Sequence, residues 1–174
     1  PRDWSSDVCS SDLVLYDHVE QLHIISEIIK HTSLQTTLQA KEVRALIRER
    51  KNTDPGHDDE VSADFNRVYR LYEALLKKDN AIDLDDIILH TLSLIKHNPA
   101  LLKEIQHHYR YFFVDDYETI SKNQHILIQQ LSQKAELLAI AGDPFQGIFM
   151  NQGVHTGIME QASKDYPKMA IFEF

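Results

Sequence analysis

The chain has 174 residues, 43% hydrophobic and 26% charged, which is typical of a globular protein with an apolar core. Its formal net charge of -9 argues against a surface that is basic throughout, and no apolar run approaches the ~20 residues of a membrane-spanning helix, so no membrane partner is expected. The single cysteine, Cys9, excludes an internal disulfide and fits a reducing compartment, which predicts a cytoplasmic protein.

The first thirteen residues, PRDWSSDVCSSDL, differ from the rest of the chain. They hold the only tryptophan and the only cysteine, repeat Ser-Ser-Asp, and show neither helical nor strand periodicity. Residues 3–13 resemble the conceptual translation of a common short-read sequencing adapter. We therefore expect residues 1–13 to be a non-native leader without function, and the authentic chain to begin near Val14.

The first half of the chain is predicted to be helical. Apolar residues recur at the three- and four-residue steps of a helix from Val19 to Ile29, and again from Phe65 to Leu75. The acids at positions 83, 85 and 86 suit the first turn of another helix, because a helix N-terminus favours negative charge. The predicted helices cover residues 17–31, 41–51, 61–78, 84–95 and 99–108.

Four cations in the second of these helices fall at steps of three, four and three, which places them on one helix face. This four-cation face consists of Lys41, Arg44, Arg48 and Lys51. Such a face can follow a phosphate backbone, but a solvated surface is the commoner outcome. Both interpretations remain open from the sequence.

The second half alternates short apolar runs with helical segments. The predicted strands are 111–114, 137–141 and 169–172, and the predicted helices between them are 122–133 and 156–163. Buried strands joined through helices predict a parallel sheet with crossover connections. We therefore expect an α/β fold, with an all-helical subdomain over residues 14–108 and part of a parallel-sheet domain over residues 109–174.

Residues 111–124, YFFVDDYETISKNQ, carry a predicted strand directly into two aspartates. Adjacent carboxylates repel unless a cation or a proton lies between them. The pair could form a metal site, a phosphate site with its Mg²⁺, or merely the N-terminal cap of the next helix. The next strand also leads to an acid, Asp143, and ligands bind beyond the carboxyl ends of parallel strands. In nucleotide-hydrolysing folds, acids at this edge hold Mg²⁺ and orient the attacking water.

A phospho-acceptor receiver domain is a competing interpretation, since its first strand also ends in two acids that bind Mg²⁺. That fold needs a later apolar strand that ends in an acceptor aspartate. Residues 157–165, GIMEQASKD, are instead polar and helical in pattern, and the sequence ends at Phe174 before the remaining elements. The receiver interpretation therefore fails.

Three successive segments resemble landmarks of the UvrD/Rep-type superfamily 1 DNA helicases. AIDLDDI (81–87) is similar to the family's DFDDL segment, VDDYETISKNQ (114–124) to its VDEYQD Walker B box, and AGDPFQGIF (141–149) to its GDPDQSIY motif III. Residues 16–30 and 48–52 resemble the family's helical insertion. The resemblance implies a 1B-like insertion over residues 14–108 and, over residues 109–174, part of the first RecA-like motor domain (1A-like) with its P-loop NTPase type of sheet.

The same resemblance implies roles at the nucleotide site. Asp115 matches the acid that coordinates Mg²⁺, and Asp116 stands where the family has the catalytic glutamate that orients the attacking water. Both residues are therefore expected to be catalytic and to bind the metal. Gln146 matches a catalytic glutamine that approaches the γ-phosphate of ATP, and Gly142 and Asp143 belong to the same nucleotide-binding segment.

Near the expected DNA-binding segment, the sequence departs from the family pattern. Phe149 stands at the family's tyrosine position beside single-stranded DNA, where an aromatic face can stack on a base. Asn151 and Gln152 then replace an aromatic residue and an arginine. At the nucleotide site, Asp116 is one methylene shorter than the family's glutamate.

The resemblance implies that the parent protein is an ATP-dependent 3′–5′ DNA helicase or translocase that uses ATP and Mg²⁺ to move on single-stranded DNA. No Gly-x-x-x-x-Gly-Lys-Ser/Thr phosphate loop occurs in the 174 residues. We therefore expect a fragment that is inactive alone and needs the Walker A segment and the second motor domain as partners. The alternative is a non-catalytic helicase-like binding or scaffold subunit.

Overall fold

A computed structural model describes residues 13–32, 39–52, 62–143 and 157–172 of the chain. Parallel pairing joins its short strands two by two, which confirms the predicted α/β class. No helix in these ranges is long and apolar enough to cross a lipid bilayer. The predicted leader, apart from its last residue, lies outside the described residues.

The elements in chain order are β1 Val14–Tyr16, α1 His18–His31, α2 Ala40–Asn52, α3 Ala63–Lys78, β2 Ala81–Asp83, α4 Leu84–His97, α5 Pro99–His108, β3 Tyr111–Val114, a 3₁₀-helix Tyr117–Thr119, α6 Lys122–Ser132, β4 Leu137–Ile140 and α7 Ile158–Asp165.

The chain divides into two compact units, residues 1–87 and 88–174, and each has its own hydrophobic core. The boundary falls within α4. The subdomain ranges proposed from the sequence, 14–108 and 109–174, are assignments by function and stay a prediction.

The first unit is built on three amphipathic helices, α1, α2 and α3. Asp17 caps α1 in a reciprocal capping box with Glu20, and the Ser62 hydroxyl caps α3 by accepting the Phe65 amide. Each fully buried large apolar side chain contributes roughly 1.5–3 kcal/mol to stability. The buried core residues are Ile25, Val43, Ile47, Phe65, Val68, Tyr72, Leu76 and Ala81.

A parallel strand pair completes this unit, so the expectation of a wholly helical subdomain over residues 14–108 is wrong. β1 and β2 pair from Val14 opposite Ala81 to Tyr16 opposite Asp83. A three-residue strand is too short to show the alternation that marks a strand in sequence. Its partner also lies far along the chain, so only the tertiary fold brings the two together.

One buried cation organises the end of α2. The Lys51 ammonium lies 2.7 Å from Asp83, 2.8 Å from Asp86 and 3.0 Å from Glu73. The Tyr72 hydroxyl also donates to Asp83, at 2.9 Å. Burial alone would lower the pKa of Lys51, but the three carboxylates outweigh it and raise that pKa. We name this group the Lys51 cluster.

The Lys51 cluster also corrects the four-cation face. Lys41 is exposed, as a solvated face requires, but Lys51 is only 3% exposed, so neither solvent nor DNA meets it directly. Lys51 follows Val43 and Ile47 at successive steps of four, and both are buried. It therefore continues the apolar row of α2. The spacing of the four cations in the sequence did not predict that Lys51 is buried.

The second unit contains the strand pair that follows the predicted order. β3 and β4 are parallel, with Tyr111 opposite Leu137 and Val114 opposite Ile140. The predicted final strand at residues 169–172 is wrong, because these residues form neither helix nor strand and no described strand pairs with them. Apolar composition favours a strand only where a neighbouring strand completes its hydrogen bonds. The buried core consists of Tyr117, Ile158 and Ala162.

Candidate functional site

The carboxyl ends of β3 and β4 lie at the same sheet edge, because the two strands are parallel and in register. Asp115 and Asp116 follow β3 directly, and Gly142 and Asp143 follow β4 after one intervening residue. The Ala141 amide donates to the Val114 carbonyl at 2.8 Å and extends the pairing beyond the strands. The structure therefore brings these four predicted site residues to adjoining turns.

The two acids form a sharp turn. Asp116 adopts a left-handed conformation, with φ 50° and ψ 40°, which aspartate tolerates better than most residues. Its amide donates to the Asp115 carboxylate at 2.9 Å, and its carbonyl accepts the Thr119 amide and hydroxyl at 2.9 and 2.8 Å. Both acids are exposed. The turn thus presents two carboxylates to solvent on a backbone fixed by local hydrogen bonds.

Neither aspartate acts as the cap of the following helix. Ser121 caps α6 in a reciprocal capping box with Gln124, and the Asp116 side chain makes no capping hydrogen bond to the 3₁₀-helix. The interpretation of the pair as a simple helix cap is therefore wrong. What remains is a pair of exposed acids in which the Asp115 carboxylate accepts the Asp116 amide and the Asp116 carboxylate caps no helix.

Glu118 links the acid turn to the loop after β4. Its carboxylate accepts the Asp143 amide at 3.1 Å, while the Tyr117 amide donates to the Ala141 carbonyl at 3.0 Å. A Cβ atom added at Gly142 would lie 2.5 Å from the Glu118 carboxylate and 3.2 Å from the Tyr117 amide nitrogen. Glycine is therefore the residue that permits this close approach. No motif or spacing in the sequence indicates this contact of Glu118.

A chain of hydrogen bonds that runs from two buried side chains to a partly exposed carboxylate lies beside the turn. The Tyr117 hydroxyl is 2.6 Å from Nδ1 of His125, and Nε2 of His125 is 2.8 Å from the Asp165 carboxylate. Tyr117 is fully buried and His125 is 3% exposed. Burial raises the pKa of Tyr117, whereas the hydrogen bond from His125, followed by one from Gln161, lowers the pKa of Asp165. No pattern in the sequence indicates these contacts, since the three residues lie on separate elements at no recognisable spacing.

The chemistry of the acid pair fits a loosely held Mg²⁺. This ion keeps several waters and takes one or two carboxylates together with substrate phosphates. Among the described residues, no cluster of three or more His, Cys, Asp or Glu side chains could hold a metal ion. Two exposed carboxylates match the one or two that Mg²⁺ takes from a protein when substrate phosphates complete its coordination, so Asp115 and Asp116 fit this kind of site.

Four predicted site residues lie outside the described part of the chain. They are Gln146, Phe149, Asn151 and Gln152. Their expected contacts with the γ-phosphate and with single-stranded DNA stay predictions.

A family model and the similar proteins indicate the same helicase family. The family model for the UvrD/REP helicase N-terminal domain matches residues 5–167. The ATP-dependent DNA helicase PcrA of Bacillus subtilis is 29% identical over 168 residues, covering 90% of this chain and 22% of that protein. PcrA of Leuconostoc citreum is 26% identical over 174 residues, covering 95% and 23%, and PcrA of Staphylococcus aureus is 26% identical over 165 residues, covering 90% and 23%. The chain thus spans less than a quarter of the length of these relatives.

Proposed function

The chain belongs to the UvrD/REP helicase N-terminal domain family, and from this premise we propose that its parent protein is an ATP-dependent DNA helicase. The proposal extends to 3′–5′ translocation on single-stranded DNA and to a cytoplasmic location. PcrA relatives named as ATP-dependent DNA helicases support it. In this proposal residues 109–174 belong to a RecA-like motor domain, and residues 14–108 to a helical insertion.

The observation that carries the proposal is the position of the acid pair. Asp115 and Asp116 are exposed at the carboxyl edge of a parallel strand pair, where α/β folds bind their ligands. The Tyr117 amide donates to the Ala141 carbonyl, and the Glu118 carboxylate accepts the Asp143 amide. These two hydrogen bonds fix the turn against residues 141–143. Catalysis of phosphoryl transfer depends mainly on positioning and charge stabilisation, and a fixed pair of acids meets the first requirement.

In the proposed mechanism, Asp115 would hold the Mg²⁺ that accompanies ATP, and Asp116 would orient the attacking water. The metal, when bound, neutralises charge that develops on the transferring phosphoryl group. Asp143 precedes Gln146 by three residues in the sequence, and for Gln146 we propose contact with the γ-phosphate. Phe149, Asn151 and Gln152 follow in the segment proposed to meet single-stranded DNA.

The full-length parent protein provides the test. Its ATPase activity, measured with and without single-stranded DNA, is expected to rise with DNA and to fall at least about a hundredfold on Asp115→Asn, because one of the few charges that hold the metal is lost. Glu104→Gln is the matched control, since Glu104 is an exposed acid on α5, away from the predicted site residues in the sequence. Its activity should equal that of the unsubstituted protein.

Two outcomes would contradict parts of the proposal. A full-length protein that binds single-stranded DNA without any ATP turnover would favour the non-catalytic binding or scaffold subunit. The 174-residue chain alone is proposed not to hydrolyse ATP, because it contains no phosphate loop. Turnover by the purified chain that disappears on Asp115→Ala would refute that second statement.

A further inference from the structure

His125 lies at the centre of a hydrogen-bond chain, and the tautomer of its neutral imidazole ring sets the direction of that chain. An ionised carboxylate can only accept, so Nε2 of His125 carries the proton that is donated to Asp165, at 2.8 Å. In the neutral ring Nδ1 is then an acceptor, and it receives the Tyr117 hydroxyl at 2.6 Å. The rings of Tyr117 and His125 also meet edge to face, with centroids 6.0 Å apart. Both ring nitrogens are therefore used, and the imidazole is fixed in one orientation.

This chain connects three elements around the acid turn. Tyr117 is the residue directly after Asp116, His125 lies in the first turns of α6, and Asp165 is the last residue of α7. The Tyr117 amide donates to the carbonyl of Ala141, the residue directly after β4. The hydroxyl of the same tyrosine contacts His125. Tyr117 therefore connects the turn to the end of β4 through its backbone and to α6 through its side chain. His125 therefore contacts the residue that directly follows Asp116 in the turn.

We propose that His125 is a positioning residue: it accepts the Tyr117 hydroxyl, donates to Asp165, and so holds the Asp115–Asp116 turn in place while tying it to α7. The proposal rests on the proposed function, since the turn is of interest as a metal and nucleotide site. It adds that the site includes helix α7, which follows residues 144–156 in the chain. His125 itself need not touch the metal or the nucleotide.

A histidine that only fills the core would behave differently from one that positions the turn. Asparagine at position 125 can place an amide oxygen near the Nδ1 site and keep an acceptor for Tyr117. Glutamine can reach the Nε2 site and keep a donor for Asp165, but it leaves the Tyr117 hydroxyl without its acceptor. Asparagine and glutamine are similar in polarity. If His125 only fills space in the core, the two substitutions should therefore change the Tyr117 backbone to a similar degree. If His125 positions the turn, only glutamine should disturb it.

Amide hydrogen exchange on the full 174-residue chain, followed by NMR, tests this difference. In His125→Gln the Tyr117 amide is expected to exchange at least about tenfold faster, and in His125→Asn within about threefold of the unsubstituted rate. Tyr117→Phe, which removes only the hydroxyl, should reproduce the His125→Gln result. The Val68 amide in the core of the first unit serves as the control and should not change. Equal exchange at Tyr117 in the Asn and Gln variants would overturn the proposal.

A second measurement separates this proposal from the proposed function. Mn²⁺ should broaden the amide signals of Asp115 and Asp116 in the unsubstituted chain, with an affinity at least about threefold weaker in His125→Gln and unchanged in His125→Asn. Absence of broadening in the unsubstituted chain would count against the metal site, while the exchange rates would still decide the role of His125. Broadening with equal affinity in all three proteins would overturn the positioning role.

Discussion

Lys51→Met is expected to destabilise the first unit by about 3–5 kcal/mol, the usual result of removing one partner from a buried ion pair. Methionine preserves most of the side-chain length and removes the charge, so Asp83 and Asp86 keep their positions without a cation. Their side chains are 2% and 6% exposed, against 37% for Glu73. Solvent can therefore stabilise only Glu73 after the substitution.

The magnitude follows from the contacts of the ammonium group. Each hydrogen bond to a charged group contributes about 1.5–3 kcal/mol, and Lys51 makes two to fully buried acids, at 2.7 and 2.8 Å. The substitution also removes the cost of burying the ammonium itself, which offsets part of the loss and brings the sum to about 3–5 kcal/mol. A small domain is stable by only about 5–15 kcal/mol, so this loss is a large fraction of the stability expected for the first unit.

Urea unfolding followed by circular dichroism at a helix band measures this change. Lys41→Met is the matched control, since Lys41 is an exposed lysine on the same helix and its loss should change the free energy of unfolding by less than about 0.5 kcal/mol. Adding Asp83→Asn and Asp86→Asn to Lys51→Met should cost less than the sum of the separate changes, because no buried charge is then left alone. If Lys51→Met lowers the free energy of unfolding by less than about 1 kcal/mol, the view that Lys51, Asp83 and Asp86 are buried and coupled is refuted.

Three further changes test other contacts. Tyr72→Phe removes the hydroxyl that donates to Asp83 at 2.9 Å and should lower the free energy of unfolding by about 1–2 kcal/mol in the same urea assay. Gly142→Ala should displace the Glu118 carboxylate and speed exchange of the amide it now accepts, while unchanged exchange would contradict the close approach. Hydrogen bonds lower the pKa of Asp165 below 3.8, and the one from His125 has a larger effect than the one from Gln161. Its ionised form therefore stabilises the fold above that pH, and the contribution is lost as the pH falls through the lowered value. Asp165→Asn should remove this part of the acid dependence, and an unchanged pH profile of unfolding would contradict it.

Periodicity and strand ends predicted much of the architecture. The apolar steps placed α1 to α6 within a few residues of their observed bounds, and the parallel pairing of β3 with β4 followed from their alternation with helices. The predicted relationship to UvrD/Rep-type helicases is confirmed at the level of the family. These features depend on local sequence or on a motif, and both can be read from one chain.

The contacts that fix the site were not predictable in the same way. The burial of Lys51 depends on three acids from other elements, and the chain from Tyr117 through His125 to Asp165 joins three separate elements. No spacing rule connects such residues, because their proximity is a product of tertiary packing. The contact of the Glu118 carboxylate with the Asp143 amide was not predictable either, because the two residues lie 25 positions apart in the sequence.

The sheet formed by β3 and β4 has a consequence for handling the protein at high concentration. Each of its two strands pairs on one side only among the described strands, and Tyr111 and Phe113 in β3 are 58% and 74% exposed. A strand edge with free amides and carbonyls beside exposed aromatic rings is a template for pairing with a second copy. Self-association through this edge should therefore depend on protein concentration, and a charged residue in place of Phe113 should suppress it.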